Sequence, residues 1–201
     1  MKKITLLFVL IFAAFQAKAQ PGGLGAIAYS MGQPTWNTKD YINEFSWRGV
    51  AVEYKHFNSK SFSYGFQFGW NNFGQRIDGV VSFENGAVSG TQIRKLGAIP
   101  ILVSLNYHTA SLYSNISPYM ALNIGTYYMK ENFTLGVYGS DKGAWHLAMA
   151  PELGVYIPAG DAYLQVALKL NKAFEAGDYL GGRKKDFTWL ALNVGVAFPT
   201  F

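Results

Sequence analysis

Four charged side chains stand where a β-strand would turn them away from solvent: Glu53, Lys55, Glu152 and Lys169. Each alternates with apolar neighbours, as in Val52-Glu53-Tyr54-Lys55 and Leu168-Lys169-Leu170, so a period of two puts them on one face and the apolar residues on the other. Two are acidic and two basic, which lets them neutralise one another. They are expected to form an ion-pair and amide network with Gln67, Asn106, Asn123, Gln165 and Asn193. An ion or proton path is the functional alternative for the same residues. A hydrolytic carboxylate pair from Glu53 and Glu152 is disfavoured by the lysines beside them and by the lack of a cleft.

Nucleophilic chemistry has one nearby set, Ser140, Asp141 and His146. It lacks a histidine and serine two apart on one strand, and a plain polar role for His146 is favoured. His56 and His108 fall at strand ends. Three dispersed histidines and no cysteine argue against a transition-metal site, and no cofactor is expected. Arg183, Lys184 and Lys185 beside Gly181 and Gly182 could bind phosphates of lipopolysaccharide by charge-assisted contacts, with a solvated loop tip as the plainer reading.

The elements that position these residues begin after a leader. Lys2 and Lys3, the apolar run Ile4–Phe15 and Ala17-Lys18-Ala19 read as a signal peptide over residues 1–19, so export and a mature domain over 20–201 are expected. Removing Lys2, Lys3 and Lys18 reduces 17 basic residues to 14 against 12 acidic ones, and the net charge falls from +5 to +2. Nucleic-acid binding thereby loses its support. Only 14% of the chain is charged while 16% is aromatic, too little charge to cover a soluble surface.

Alternation sets out eight strands: Gly22–Met31, Trp47–Phe57, Phe62–Asn71, Lys95–Tyr107, Ile116–Met129, Ala144–Ile157, Asp161–Ala173 and Phe187–Phe201. The clearest is the third, with Phe62, Tyr64, Phe66, Phe68 and Trp70 opposite Ser63, Gly65, Gln67, Gly69 and Asn71. Pro100 suggests a bulge in the fourth. Long loops are expected at Gly32–Ser46, Asn72–Arg94 (with a short hairpin near Val80–Phe83), Lys130–Gly143 and Phe174–Asp186. Short turns are expected at Asn58–Ser61, His108–Asn115 and Ala159-Gly160. The last turn sets Glu152 opposite Ala167 and diagonal to Lys169. An open edge on the last strand is best closed by the first.

Long and short connections in alternation describe an eight-stranded antiparallel up-and-down transmembrane β-barrel with both termini in the periplasm. Trp47, Trp70, Tyr128, Trp145 and Trp189 would then form an outer aromatic girdle, and Tyr54, Tyr107 and Tyr119 an inner one. The leader, the eight strands, Ile99-Pro100-Ile101-Leu102-Val103, Ser117-Pro118-Tyr119 and the terminal Phe201 resemble the small outer-membrane β-barrel proteins (porin-family, OmpA/OmpX-like). That resemblance implies a Gram-negative outer-membrane location, and an aromatic terminus read by the barrel assembly machinery, here Phe198 or Phe201. Outer-membrane lipids and lipopolysaccharide are the expected partners of a monomer.

The expected function is a non-enzymatic barrel with a side-chain-filled lumen, acting in envelope structure or surface interaction through four outer loops. The alternatives are an outer-membrane lipid (lipid A) modifying enzyme, which requires Ser140, Asp141 and His146 to converge, and a small-molecule conduit or carrier, which requires a continuous cavity past Glu53 and Lys169. A soluble barrel of lipocalin type would instead turn the apolar faces inward.

Overall fold

A computed structural model describes residues 22–83, 86–112, 114–136, 138–176 and 185–200. The expected leader and Phe201 lie outside the described residues. The strands are β1 (Gly23–Pro34), β2 (Gly49–Phe57), β3 (Phe62–Phe83), β4 (Gly86–His108), β5 (Ser117–Leu135), β6 (Tyr138–Ala159), β7 (Ala162–Ala176) and β8 (Lys185–Thr200), with one short helix, α1 (Asn37–Tyr41), after β1. Each strand pairs antiparallel with the next. The ring closes between β1 and β8, from Gly23 opposite Thr200 to Pro34 opposite Trp189. Closure removes the edges that an open sheet of such strands would leave unpaired.

The faces follow the alternation. Ile27, Tyr29, Phe66, Phe68, Val103, Leu105, Ile124, Leu153 and Leu168 are exposed on the outside, whereas Ala26, Ala28, Gln67, Ser104, Asn123, Ala150 and Ala167 are buried within. The apolar faces therefore point outward, opposite to a lipocalin-type barrel. Inward glycines make the tight curvature possible: a Cβ on Gly65 would lie 1.8 Å from the Tyr54 carbonyl oxygen, and one on Gly125 2.2 Å from that of Ile101.

Several expectations are corrected. Most of the expected loop 72–94 is strand, β3 and β4 staying paired from Asn72 and Gly97 to Phe83 and Gly86. Likewise β5 and β6 pair to Leu135 and Tyr138, so most of the expected loop Lys130–Gly143 is strand. Pro100 causes no bulge, because Phe68–Ile101 and Asn71–Ala98 keep one register across it; the missing N–H only opens a gap in the ladder. A register shift falls instead in β7, between Ala173 and Ala176. The β6–β7 turn is Gly160-Asp161, with Gly160 at φ 67°, which sets Glu152 directly opposite Lys169.

Two girdle assignments fail for a shared reason. Trp189 and Tyr119 are buried inside the barrel, since each has the parity of its inward neighbours, Ala191 and Ala121. Trp47, Trp70, Trp145 and Tyr107 do face outward. Phe198 faces outward as well.

Candidate functional site: the barrel interior and its mouth

The lumen contains two layers. Toward the termini it is polar. Glu53 and Lys55, two apart on β2, both point inward and form an ion pair at 3.1 Å. Gln67 on β3 donates its amide to Glu53 and accepts from the Lys169 ammonium on β7. Gln165 spans the other side, donating to Glu53 at 3.3 Å and to the Tyr119 hydroxyl at 2.8 Å. Tyr119 passes the chain on to Glu152 at 2.7 Å, and Asn123 donates to the same carboxylate at 3.4 Å. Lys55 also donates to the Tyr156 hydroxyl at 2.8 Å and stands 4.0 Å from the centre of the Tyr119 ring.

The four expected charges are thus in one connected network. All four are buried, with relative exposures of 4% (Glu53), 2% (Lys55), 3% (Glu152) and 4% (Lys169). Side chains thus occupy the interior around Glu53 and Lys169, as eight strands enclose a space that side chains can fill. Asn106 stands apart from the carboxylates, donating to the Ser104 hydroxyl at 2.7 Å, and the Asn193 side-chain amide oxygen is buried without a hydrogen-bond partner.

Ser63, Tyr127, Tyr156 and Asn171 lie inside as the alternation of their strands requires, and Tyr119 and His108, expected at the inner rim, join them there. Tyr127 donates to Asn171 at 2.6 Å, and His108 Nε2 lies 2.9 Å from the Ser63 hydroxyl. The signal that finds them is strand parity alone. Tyr119 and Tyr156 stack at 4.8 Å and 18°, closing the terminal end together with Leu24.

Toward the loops the lumen is apolar. Phe73, Leu96, Leu102, Tyr127, Met129, Phe187 and Trp189 form one cluster, and Ile42 from the β1–β2 connection is packed into it. That connection folds over the mouth. The Arg94 guanidinium donates to the Tyr41 carbonyl at 2.9 Å, the Tyr41 hydroxyl to the Asn132 carbonyl at 3.3 Å, and the Asn43 amide to Gln75 at 3.0 Å. At its near end Asn37 donates to Asp186 at 2.7 Å, and the Thr188 amide donates to the Thr38 hydroxyl at 2.6 Å.

The catalytic set does not assemble. Ser140 and His146 share a strand but lie six residues apart, about 20 Å at ~3.3 Å per residue. Asp141 is on the opposite face, paired with Lys130 at 3.2 Å, and His146 Nδ1 lies 2.7 Å from the Phe174 carbonyl oxygen. Among the described residues no cluster of metal-ligating side chains occurs. Lys185 turns into the mouth, where it pairs with buried Glu131 at 2.8 Å, rather than outward to a lipid phosphate; Arg183 and Lys184 lie outside the described residues.

No known protein family and no curated protein matches the sequence. Solved structures do match. Neisserial surface protein A superposes with a TM-score of 0.55 at 13% identity over 89% of this chain and 96% of that one. The outer membrane protease OmpT from Escherichia coli gives 0.56 at 7% identity over 90% and 98%. OprG, an outer membrane protein from Pseudomonas aeruginosa, gives 0.51 at 14% identity over 89% and 96%. The fold is that of the small outer-membrane β-barrels. In barrels of this fold an exterior belt of apolar side chains such as this one is the face turned to lipid.

Proposed function

We propose that this chain is a closed, non-enzymatic barrel of the Gram-negative outer membrane that acts by presenting strands and loops to the cell exterior. One observation carries the reading. Four strands, β3 to β6, continue past the aromatic level of Trp70, Tyr128 and Trp145 as a sheet, while the lumen beneath is filled. Beyond Trp70, β3 runs a further 13 residues to Phe83, about 40 Å along the strand. Among the described residues no strand pairs with its outer edge there: pairing with β2 ends at Gly49 and Asn71, and the contacts beyond it are the Asn72 amide to Arg48 at 2.9 Å, the Ser46 hydroxyl to the Asn72 carbonyl, and the Asn43 amide to the Gln75 side chain at 3.0 Å. A row of unpaired backbone donors and acceptors is the surface that strand addition uses.

The long hairpins then face outward and both termini face the periplasm, as expected for export through a leader and assembly of the closing strand by the barrel machinery. Outer-membrane lipids and lipopolysaccharide contact the apolar belt and its rim, where Arg48 lies exposed beside Trp47.

The test compares the full chain with a variant in which residues 76–92 are replaced by a two-residue turn, both displayed on cells and probed for capture of extracellular proteins. Loss of capture with retained heat-dependent gel mobility supports the reading. Equal capture by both removes it. Steady ion conductance by the full chain in a planar bilayer would separately overturn the closed lumen.

A further inference from the structure

The end of the barrel nearest the termini opens into a bowl of about 1020 Å³, bounded by all three turns at that end and by the ends of β1 and β8. Leu24, Phe57, Leu112 and Tyr163 give it an apolar wall, and Lys60 and Asp161 stand exposed at its rim. Phe57, Leu112 and Tyr163 pack against the buried cluster of Leu24, Tyr119 and Tyr156, so the bowl rests on the layer that closes the lumen at this end. Its volume lies at the upper end of the range that small-molecule sites occupy, about 300–1,000 Å³.

The two charges face one another across that space. Lys60 lies on the β2–β3 turn and Asp161 on the β6–β7 turn, four strands apart in a closed ring of eight, so they reach the bowl from opposite sides. Among the described residues neither takes part in an ion pair. A cation and an anion set opposite each other over an apolar floor are complementary to a molecule with an anion at one end, a cation at the other and an apolar middle. A short peptide with both termini free has this layout, and capture of chain termini is an established mode of peptide recognition. Its carboxylate would meet Lys60, its ammonium Asp161, and its side chain the floor. A neutral apolar molecule would leave both charges unanswered, and a molecule charged with one sign at both ends would meet a like charge at one of them.

The geometry points to a binding site for a short peptide with free termini and an apolar side chain, held across the terminal bowl between Lys60 and Asp161. The site goes beyond the surface role and does not depend on it, since it occupies the opposite end of the barrel from the long hairpins. Binding there leaves the charged network of Glu53, Lys55, Glu152 and Lys169 in place, because the apolar layer lies between.

The test is nuclear magnetic resonance of the protein purified from cell membranes in detergent, titrated with the tripeptide alanyl-phenylalanyl-alanine. The amide signals of Lys60, Leu112, Asp161 and Tyr163 should shift saturably while those of residues 76–79 stay in place. Acetylating the peptide's amino end or amidating its carboxyl end should each weaken binding about threefold, the scale of one exposed ion pair. Lys60→Gln should weaken the free peptide by the same factor and cancel the effect of amidation, and Asp161→Asn should do the same for acetylation. Alanyl-seryl-alanine, which has no apolar side chain for the floor, should bind about tenfold more weakly. Heat-dependent gel mobility reports folding of each variant, and the capped peptides probe the same contacts on the wild type should a variant fail to fold. No saturable shift up to about 10 mM, well above the ~1 mM of a weak site, overturns the proposal. Equal binding of free and capped peptides, or of the phenylalanyl and seryl peptides, overturns it also, because the charged rim or the apolar floor would then play no part.

Discussion

Glu53 and Lys55 lie two residues apart on one strand, point the same way into the barrel, and pair at 3.1 Å with almost no solvent at either end. Removing one partner of a buried pair leaves a charge that the interior must hold alone, at a cost of about 3–5 kcal/mol. Glu53→Leu should therefore destabilise the barrel by that order, because Lys55 keeps only Tyr156 and the Tyr119 ring. The double variant Glu53→Leu with Lys55→Met should cost less than Glu53→Leu alone. Urea titration scored by unheated gel mobility checks both, and a double variant less stable than Glu53→Leu alone would show that the pair is not the unit.

Strand parity made most of this interior legible. Glu53, Lys55, Glu152 and Lys169 could be brought to one lumen because side chains alternate strictly along a strand. What parity does not give is length. Beyond the apolar belt the outward face no longer needs apolar residues, so residues 72–94 lose the apolar alternation and read as a loop although 72–83 and 86–94 are paired strand. Nor does an aromatic residue near a strand end declare its side; Trp189 and Tyr119 suit a girdle by position and a core by parity, and parity prevails. A turn one residue later moves the partner of Glu152 by two residues, from Ala167 to Lys169, since a hairpin's register follows its turn residues. The β1–β2 connection, a strap over the mouth, carries no periodic signal at all, and only its contacts reveal Ile42 as core.

Tyr119 links two halves of the polar layer, accepting from Gln165 at 2.8 Å and donating to Glu152 at 2.7 Å. Tyr119→Phe keeps the ring stacked on Tyr156 but removes a donor from a buried carboxylate. Loss of such a bond costs about 1–3 kcal/mol. The expected outcome is a lower urea midpoint with an unchanged aromatic circular dichroism signature, and an unchanged midpoint would mean that Glu152 does not depend on this donor.

Glycine is required where two backbones meet. On Gly125 a Cβ would sit 2.2 Å from the Ile101 oxygen and 3.0 Å from the Leu102 Cα, whereas on Gly97 the nearest atom would be 3.9 Å away. Gly125→Ala should cost about 1–3 kcal/mol or prevent assembly, as overpacking against atoms that cannot rotate away does. Gly97→Ala should be tolerated. Folding yields into lipid vesicles compare the two directly, and equal yields would refute the close approach.

The fastening of the strap should depend on pH through Asp186. Burial pushes its pKa up, but hydrogen bonds from Lys172 and Asn37 outweigh burial and hold the carboxyl below the usual carboxylate range. A carboxyl with a depressed folded-state pKa contributes its stabilisation above the unfolded value, about 3.9 for aspartate, and loses it as the pH falls below that toward the folded value. The strap should therefore be held fully at pH 5 and loosen below about pH 4. The amides that report it are Lys39, bonded to the Trp36 carbonyl at 3.0 Å, and Ile42, bonded to that of Thr38 at 2.9 Å. Their exchange protection, corrected for intrinsic rate, should drop between pH 5 and pH 3 in the wild type and be low at both in Asp186→Asn, which cannot carry the charge that Lys172 meets. If protection in the wild type is flat across that range, Asp186 does not hold the strap.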